Sequence, residues 1–135
     1  MADLSQTTAN VRATSTTQTI RVTAGESVEA GDWVYKLAAD GEYYGASSGS
    51  AVLANVRGMV MTAGGADGTV IEVAVSGDVN TGATGTIGAP AFLSANVGKM
   101  KEDLPTSGMW TTILGGSTTG TNFTINIQPL GVARA

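Results

Sequence analysis

At 135 residues, the chain is long enough for one domain with its own hydrophobic core. Its formal net charge of -4, with charged residues at only 13% of the chain, excludes the broad basic face of a nucleic-acid-binding protein. It contains no cysteine and no histidine, so disulfides, thiolate chemistry and the commonest metal ligand are excluded, and we expect no cofactor and no metal site.

The beginning of the chain lacks the basic and apolar regions of a secretory signal. No apolar run approaches the roughly 18 residues that a membrane-spanning helix needs. We therefore expect synthesis in the cytoplasm and no membrane partner.

Residues 1–19 form a segment unlike the rest of the chain. They are rich in Thr, and after the initial Met only Leu4 and Val11 are large and apolar. So little apolar surface does not offset the entropy of ordering, while Thr favours extended backbone. We predict an N-terminal arm that is flexible when free and extended when bound; a plain disordered tail is the alternative.

The charge of this arm differs in sign from that of the body. Residues 1–21 carry Arg12 and Arg21 against Asp3, a net charge of +1, whereas the remainder carries ten acids and five bases, a net charge of -5. A basic arm suits an acidic neighbour, including the body of another copy. We therefore name arm residues as interface candidates: Asp3, Leu4, Val11, Arg12 and Arg21.

Residues 20–135 are predicted to be a single β-rich body. Apolar and polar residues alternate with a period of two at 20–22, 33–37, 71–75 and 123–127, which is typical of half-buried strands. The dipeptides Asp40-Gly41 and Asp67-Gly68 favour tight hairpins between them. The best helix candidate, 46–56, is short and contains a glycine.

The body also carries a weak internal repeat. Residues 31–35 align with 88–92 at a spacing of 57, and Gly64 aligns with Gly116 at a spacing of 52. The first copy then has five extra residues, which we place near 47–55. Two such β-units packed together would form a small β-barrel or sandwich without most of its exposed edges.

Motifs of catalysis and metal binding are incomplete. The Gly-x-Ser-x-Gly pattern at 45–49 lacks a histidine base. The calcium-like run at 78–82 lacks the third oxygen ligand before its glycine and the following Glu. We predict no catalytic, cofactor-binding or metal-binding residue and no enzymatic activity.

Trp110 and the pair Met59 and Met61 have two interpretations each. Trp110 follows the break at 105–108, where it would be an interface anchor if exposed and ordinary core if buried. The methionines would form either an adaptable contact surface or the core. We add Trp110 to the interface candidates.

Five segments of the body, at 30–35, 57–60, 68–77, 88–93 and 113–115, resemble the small capsid decoration (cement) proteins of tailed bacteriophages. The likeness covers about residues 20–130. It implies a β-tulip or barrel-like module on the capsid exterior of the virion, often a homotrimer, which reinforces the shell against DNA pressure. Its partners would be the major capsid protein and further copies of itself, with no direct contact to nucleic acid.

Another virion component is the alternative function. A head-fibre base, a tail part or a host-adhesion module would bind cells or glycans rather than the shell. Exposed aromatic side chains at loop tips would favour that alternative.

Overall fold

The structure is a computed structural model that describes residues 3–4, 11–62, 64–83, 85–105, 107–118 and 121–133. Within these residues the chain forms ten β-strands and no helix, which confirms the all-β prediction. This part of the chain accordingly offers no helix that could cross a membrane. The strands are β1 (Arg12–Ala13), β2 (Gln18–Thr23), β3 (Trp33–Lys36), β4 (Tyr43–Gly45), β5 (Val56–Val60), β6 (Val70–Asn80), β7 (Pro90–Leu93), β8 (Met100–Lys101), β9 (Trp110–Ser117) and β10 (Asn122–Ala133).

Eight of these strands lie in the order β4-β3-β5-β6-β10-β9-β7-β8, and the sheet curls into a half-barrel. The long strand β6 is its centre. Ala74 pairs with β5 on one edge and with β2 on the other, and Asn80 likewise pairs with β10 and β1. All ladders between the named strands are antiparallel, so β6 joins the two halves of the molecule.

The two halves of the sheet share one strand order. The series β4-β3-β5-β6 corresponds to β8-β7-β9-β10, and the halves meet at the β6–β10 ladder. Val34 pairs with Gly58, and at the equivalent place in the second half Ala91 pairs with Gly115. A register shift follows Val34 and Ala91 alike. The pairing therefore agrees with the first of the two spacings in the sequence repeat, which aligns 31–35 with 88–92.

The two halves differ in length between their third and fourth strands, which are β5 and β6 in the first half and β9 and β10 in the second. Met59 corresponds to Gly116, again at a spacing of 57. The residues that pair with them in the fourth strands are Ala74 and Thr124, and these two are separated by seven residues fewer. The first half thus has seven extra residues between β5 and β6. The predicted five-residue insertion near 47–55 is wrong, because it matched a glycine of the β5–β6 loop with Gly116, which belongs to strand β9.

Two hydrophobic cores lie on opposite sides of the first half of the sheet. The strand β3 separates them, since Trp33 and Tyr35 belong to the main core and Val34 to the second. The prediction that this strand is half-buried is therefore wrong. The main core also contains Val79 of β6 and buried residues of the second half: Ala91, Leu93, Met100, Leu114, Phe123 and Ile125. The second core contains Ala24, Val28, Val34, Tyr43, Val60, Ile71 and Val73.

Part of the predicted arm belongs to the sheet. Val11 is only 5% exposed and lies in the main core, and β1 pairs with β6. The hydroxyl of Thr14 donates to Asp78 O at 2.8 Å, and Asp78 N donates to Thr16 Oγ1 at 3.1 Å. The predicted boundary between residues 19 and 20 falls inside β2, so sheet pairing crosses it.

The helix candidate at 46–56 is a series of turns. Ala54 N donates to Ser50 O at 3.0 Å, and Asn55 N donates to Val52 O at 3.3 Å, after which β5 begins at Val56. Short polar residues with a glycine favour turns over a helix, which explains why no helix continues here.

Candidate functional site

The first described residues of the chain are held at the β7–β8 hairpin. The Asp3 carboxylate accepts hydrogen bonds from Ser94 Oγ at 2.6 Å and from Asn96 Nδ2 at 2.8 Å. Leu4 N donates to Met100 O at 2.9 Å, and the Leu4 side chain packs against the main core. Hydrogen bonds to a charged group each contribute about 1.5–3 kcal/mol, so these contacts fix the tip of the arm on the body.

Further hydrogen bonds connect this contact to Trp110. Trp110 N donates to Ser48 O at 2.8 Å, and Ser48 N donates to Ser94 O at 3.1 Å. The Trp110 side chain is partly buried against the main core. Three predicted interface residues therefore lie in one region, which we call the arm junction and define by Asp3, Leu4, Ser48, Ser94 and Trp110.

The other three predicted interface residues lie along β6. Val11 is buried in the main core. Arg12 is exposed opposite Asn80, and Arg21 is exposed in β2 with its Nε 3.7 Å from Glu72 Oε1. The six candidates thus fall into two groups, and the chain's own core covers Val11.

The motifs that resembled catalytic or metal sites have structural roles. Ser47 is buried; its hydroxyl donates to Ala95 O at 2.9 Å and accepts from Gly49 N at 3.2 Å. Asn80 Oδ1 accepts a hydrogen bond from Gly82 N at 3.0 Å, which closes a turn. Across the described ranges, no three acidic side chains converge as metal ligands would.

The structure decides between the two interpretations of Met59. Its side chain is fully buried in the main core, and Met61 is partly buried beside it. Met59 therefore fills the core instead of forming a contact surface.

One hydrogen-bonded pair at the β3–β4 turn has perturbed acidity. The Tyr44 hydroxyl donates to Asp40 Oδ2 at 2.7 Å, and this bond raises the pKa of Tyr44 to about 12. Two hydrogen bonds lower the pKa of Asp40. The larger effect comes from the Glu42 backbone N–H, which donates to Asp40 Oδ1 at 2.9 Å, and the next from the Tyr44 hydroxyl. The pair stabilises the turn between β3 and β4.

A cleft of about 560 Å³ opens where β5 and β10 separate along β6. The pairing of β5 with β6 ends at Ala74, and the pairing of β10 with β6 starts at Gly77. Val75 and Ser76 therefore lie at the bottom of a wedge between two strands. We call it the β5–β10 cleft; it is lined by Asn55, Val56, Arg57, Val75, Ser76, Ile125, Asn126, Ile127 and Pro129.

A second, smaller groove of about 440 Å³ crosses β9. Gly115 and Gly116 form part of its floor, and Thr124, Asn126 and Gln128 line one side. Asn126 lies between the two depressions. Neither cleft was predicted from the sequence. The one usable signal was the repeat, which places Arg57 where the second half has Leu114.

The large apolar residues that are exposed in the described part of the chain are all aliphatic. They include four at turns and loops and four in strands: Val52, Ile87, Val97, Leu104, Ile20, Val70, Leu130 and Val132. By contrast, each of the chain's seven aromatic side chains is buried or partly buried. Among the described residues, ion pairs join Arg21 to Glu72 and Lys99 to Asp32. Uncharged and aliphatic groups thus make up much of the accessible surface.

Comparisons of the chain with protein-family models, with curated proteins and with solved structures found no match.

Proposed function

We propose that the chain is a structural virion protein that binds the outside of a tailed-phage capsid and stabilises the shell. In this role its partners are the major capsid protein and further copies of itself, in a homotrimer on the capsid exterior. The proposal starts from the sequence resemblance to capsid decoration proteins, and it requires neither catalysis nor a cofactor.

The observation that carries the proposal is the chemistry of the exposed surface. Eight aliphatic side chains are exposed, among them Ile87 at 68% and Val97 at 60%, on a chain with few charges. Burying aliphatic and uncharged groups against a protein requires little desolvation of ions. Because a capsid offers the same site many times, modest contacts per copy are sufficient for a stable coat.

The anchoring of the arm supports the same role. Asp3 and Leu4 are held by a few specific hydrogen bonds at the arm junction, and both side chains are only partly buried. Such contacts are able to re-form on a neighbouring copy when the coat assembles, as the resemblance implies for the arms of decoration proteins.

The alternative virion roles find less support. A module that binds glycans or cells would use exposed aromatic side chains, but Trp110 and Tyr44 are the most accessible of the seven and both are partly buried. We therefore retain shell binding as the proposed function.

The test is sedimentation of the purified chain with expanded phage heads that were assembled without their decoration protein. We expect saturable binding and a higher temperature of head disruption than for bare heads. Heads that still carry their own decoration protein are the matched control, because their sites are occupied. Binding to host cells with none to bare expanded heads would contradict the proposal.

A further inference from the structure

The two halves of the sheet differ at one strand position, and the difference lies in the β5–β10 cleft. In the second half, Ile113 is paired on both edges, with Phe92 of β7 and Gln128 of β10. Its counterpart in the first half, Val56, pairs with Tyr35 of β3, and no second strand pairs with it within the described residues. The place that β10 occupies beside β9 therefore holds no paired strand beside β5, and β10 forms the other wall of the cleft.

The cause of this difference is the path of β6. Strand β10 stays beside β9 as far as Pro129 and beyond, whereas β6 leaves β5 after Ala74 and crosses to the other half. Residues 55–57 consequently line a cleft where the repeat would place a strand. An unpaired strand edge next to an open cleft is the geometry that accepts an added strand from another chain.

The lining of the cleft indicates what kind of strand would bind. Val75 and Ile127 are partly exposed and provide apolar contacts for alternate side chains of an extended peptide, above the buried Val56 and Ile125. Arg57 is exposed, is the one charged residue of the lining, and forms no ion pair within the described part of the chain. In the second half the same position holds the buried Leu114.

We propose that the β5–β10 cleft binds an extended segment of a partner protein, which adds as an antiparallel strand to the edge of β5 and places a carboxylate at Arg57. The internal repeat gives the direction, because β10 runs antiparallel to β9 at the equivalent position. The inference does not depend on the capsid being that partner.

The experiment titrates peptides into the isotope-labelled full chain and follows backbone amide signals by NMR. The probes are a capped seven-residue peptide of alternating Thr and Val with a central Glu, its counterpart with a central Lys, and the Glu peptide with alternate backbone amides methylated. We expect the Glu peptide to shift the amides of Arg57, Ser76 and Asn126. The Lys peptide should bind about fivefold more weakly, the size of one exposed ion pair. The methylated peptide should not bind, because it cannot complete the ladder.

Two variants separate the charge from the strand edge. R57Q should bind the Glu and Lys peptides equally, and R12Q, which removes an exposed arginine on the opposite edge of β6, should retain the preference. Equal binding of the Glu and Lys peptides to the unmodified chain, shifts confined to β2, or no shift at the cleft would overturn the proposal. Shifts at the cleft that appear with protein concentration alone would assign the site to a second copy and overturn the partner assignment.

Discussion

At the scale of single residues, two equivalent glycines show why the repeat constrains the sequence. A Cβ atom at Gly58 would overlap Ala74 O, and one at Gly115 would overlap Thr124 O, both far inside van der Waals contact. These acceptors are themselves equivalent, one in β6 and one in β10. Each half thus needs a residue without a side chain where its third strand meets its fourth, which no propensity argument alone would reveal.

The first prediction concerns Gly58. The substitution Gly58→Ala should lower the free energy of unfolding by about 2 kcal/mol, because the added methyl group overlaps backbone that cannot move aside. Gly49→Ala is the matched control, since its Cβ would meet nothing closer than Ser47 Oγ at 3.5 Å. It should change stability by less than about 0.5 kcal/mol. Urea unfolding measures both, and equal values would contradict the close approach.

The second prediction concerns the pair Tyr44 and Asp40. The Tyr44 pKa lies above its usual 10.0, so the pair's contribution is complete below pH 10 and is lost as the pH rises through about 12. The Asp40 pKa lies below 3.8, so that contribution is present above pH 3.8 and is lost as the pH falls through the lower folded value. Asp40→Asn should return the Tyr44 pKa toward 10.

An NMR titration of labelled tyrosine rings distinguishes Tyr44 from the other two tyrosines. Asp67→Asn is the control, because Asp67 contributes least among the groups that raise the Tyr44 pKa. If both variants lowered the Tyr44 pKa equally, the direct hydrogen bond would not be its main cause.

At the scale of strands, periodicity predicted the elements that carry large apolar side chains. The alternation of Phe123, Ile125 and Ile127 with exposed Asn126 was visible because one face of β10 is buried. The first strand, β1, was missed, because the Thr-rich segment around it shows no such pattern and β1 is held by pairing with β6. Burial of both faces of β3 was also missed, since periodicity does not report a second core on the other side of a sheet.

The same limit applies to the candidate site. Asp3 and Leu4 were named as interface candidates because they belong to the predicted N-terminal arm, and they lie at the arm junction. The β5–β10 cleft depends on where β6 leaves β5, which is a property of the path of the sheet. In the sequence the cleft is indicated only indirectly, because the repeat aligns Arg57 with Leu114.

The third prediction concerns the division between arm and body. Removal of residues 1–10 takes away Asp3 and Leu4 but leaves Val11 and β1 in place. Removal of residues 1–16 also takes away a buried valine and the hydrogen bonds that Thr14 and Thr16 make at Asp78. Burying a valine contributes about 1.5–3 kcal/mol, and each hydrogen bond about 1 kcal/mol. The longer deletion should therefore be less stable than the shorter by about 4 kcal/mol.

Chemical denaturation of the two truncated chains measures this difference directly. The full chain is the reference, and hydrogen exchange of β6 amides reports whether the loss is local to its last residues. Equal stability of the two truncations would mean that Val11 and β1 are not part of the core.

At the scale of the whole molecule, the β6–β10 ladder determines how the two halves of the sheet are joined. It joins two four-stranded units into a half-barrel, and the main core fills the space between them. Turns, loops and strands of this body expose aliphatic side chains, while the charges are few and dispersed. A surface of this kind gains affinity from burial of apolar area more than from ionic contacts.

The fourth prediction follows from that surface and concerns binding to the shell. Between about 50 and 500 mM sodium chloride, the affinity of the chain for bare expanded heads should change by less than about threefold, because salt screens ionic contacts but not apolar burial. Ammonium sulfate at equal ionic strength should strengthen the binding, since sulfate favours apolar burial. Sedimentation of the chain with heads at each salt concentration measures both effects. A steep loss of affinity with sodium chloride would mean that ion pairs dominate the contact, and the exposed aliphatic side chains would then not be its main part.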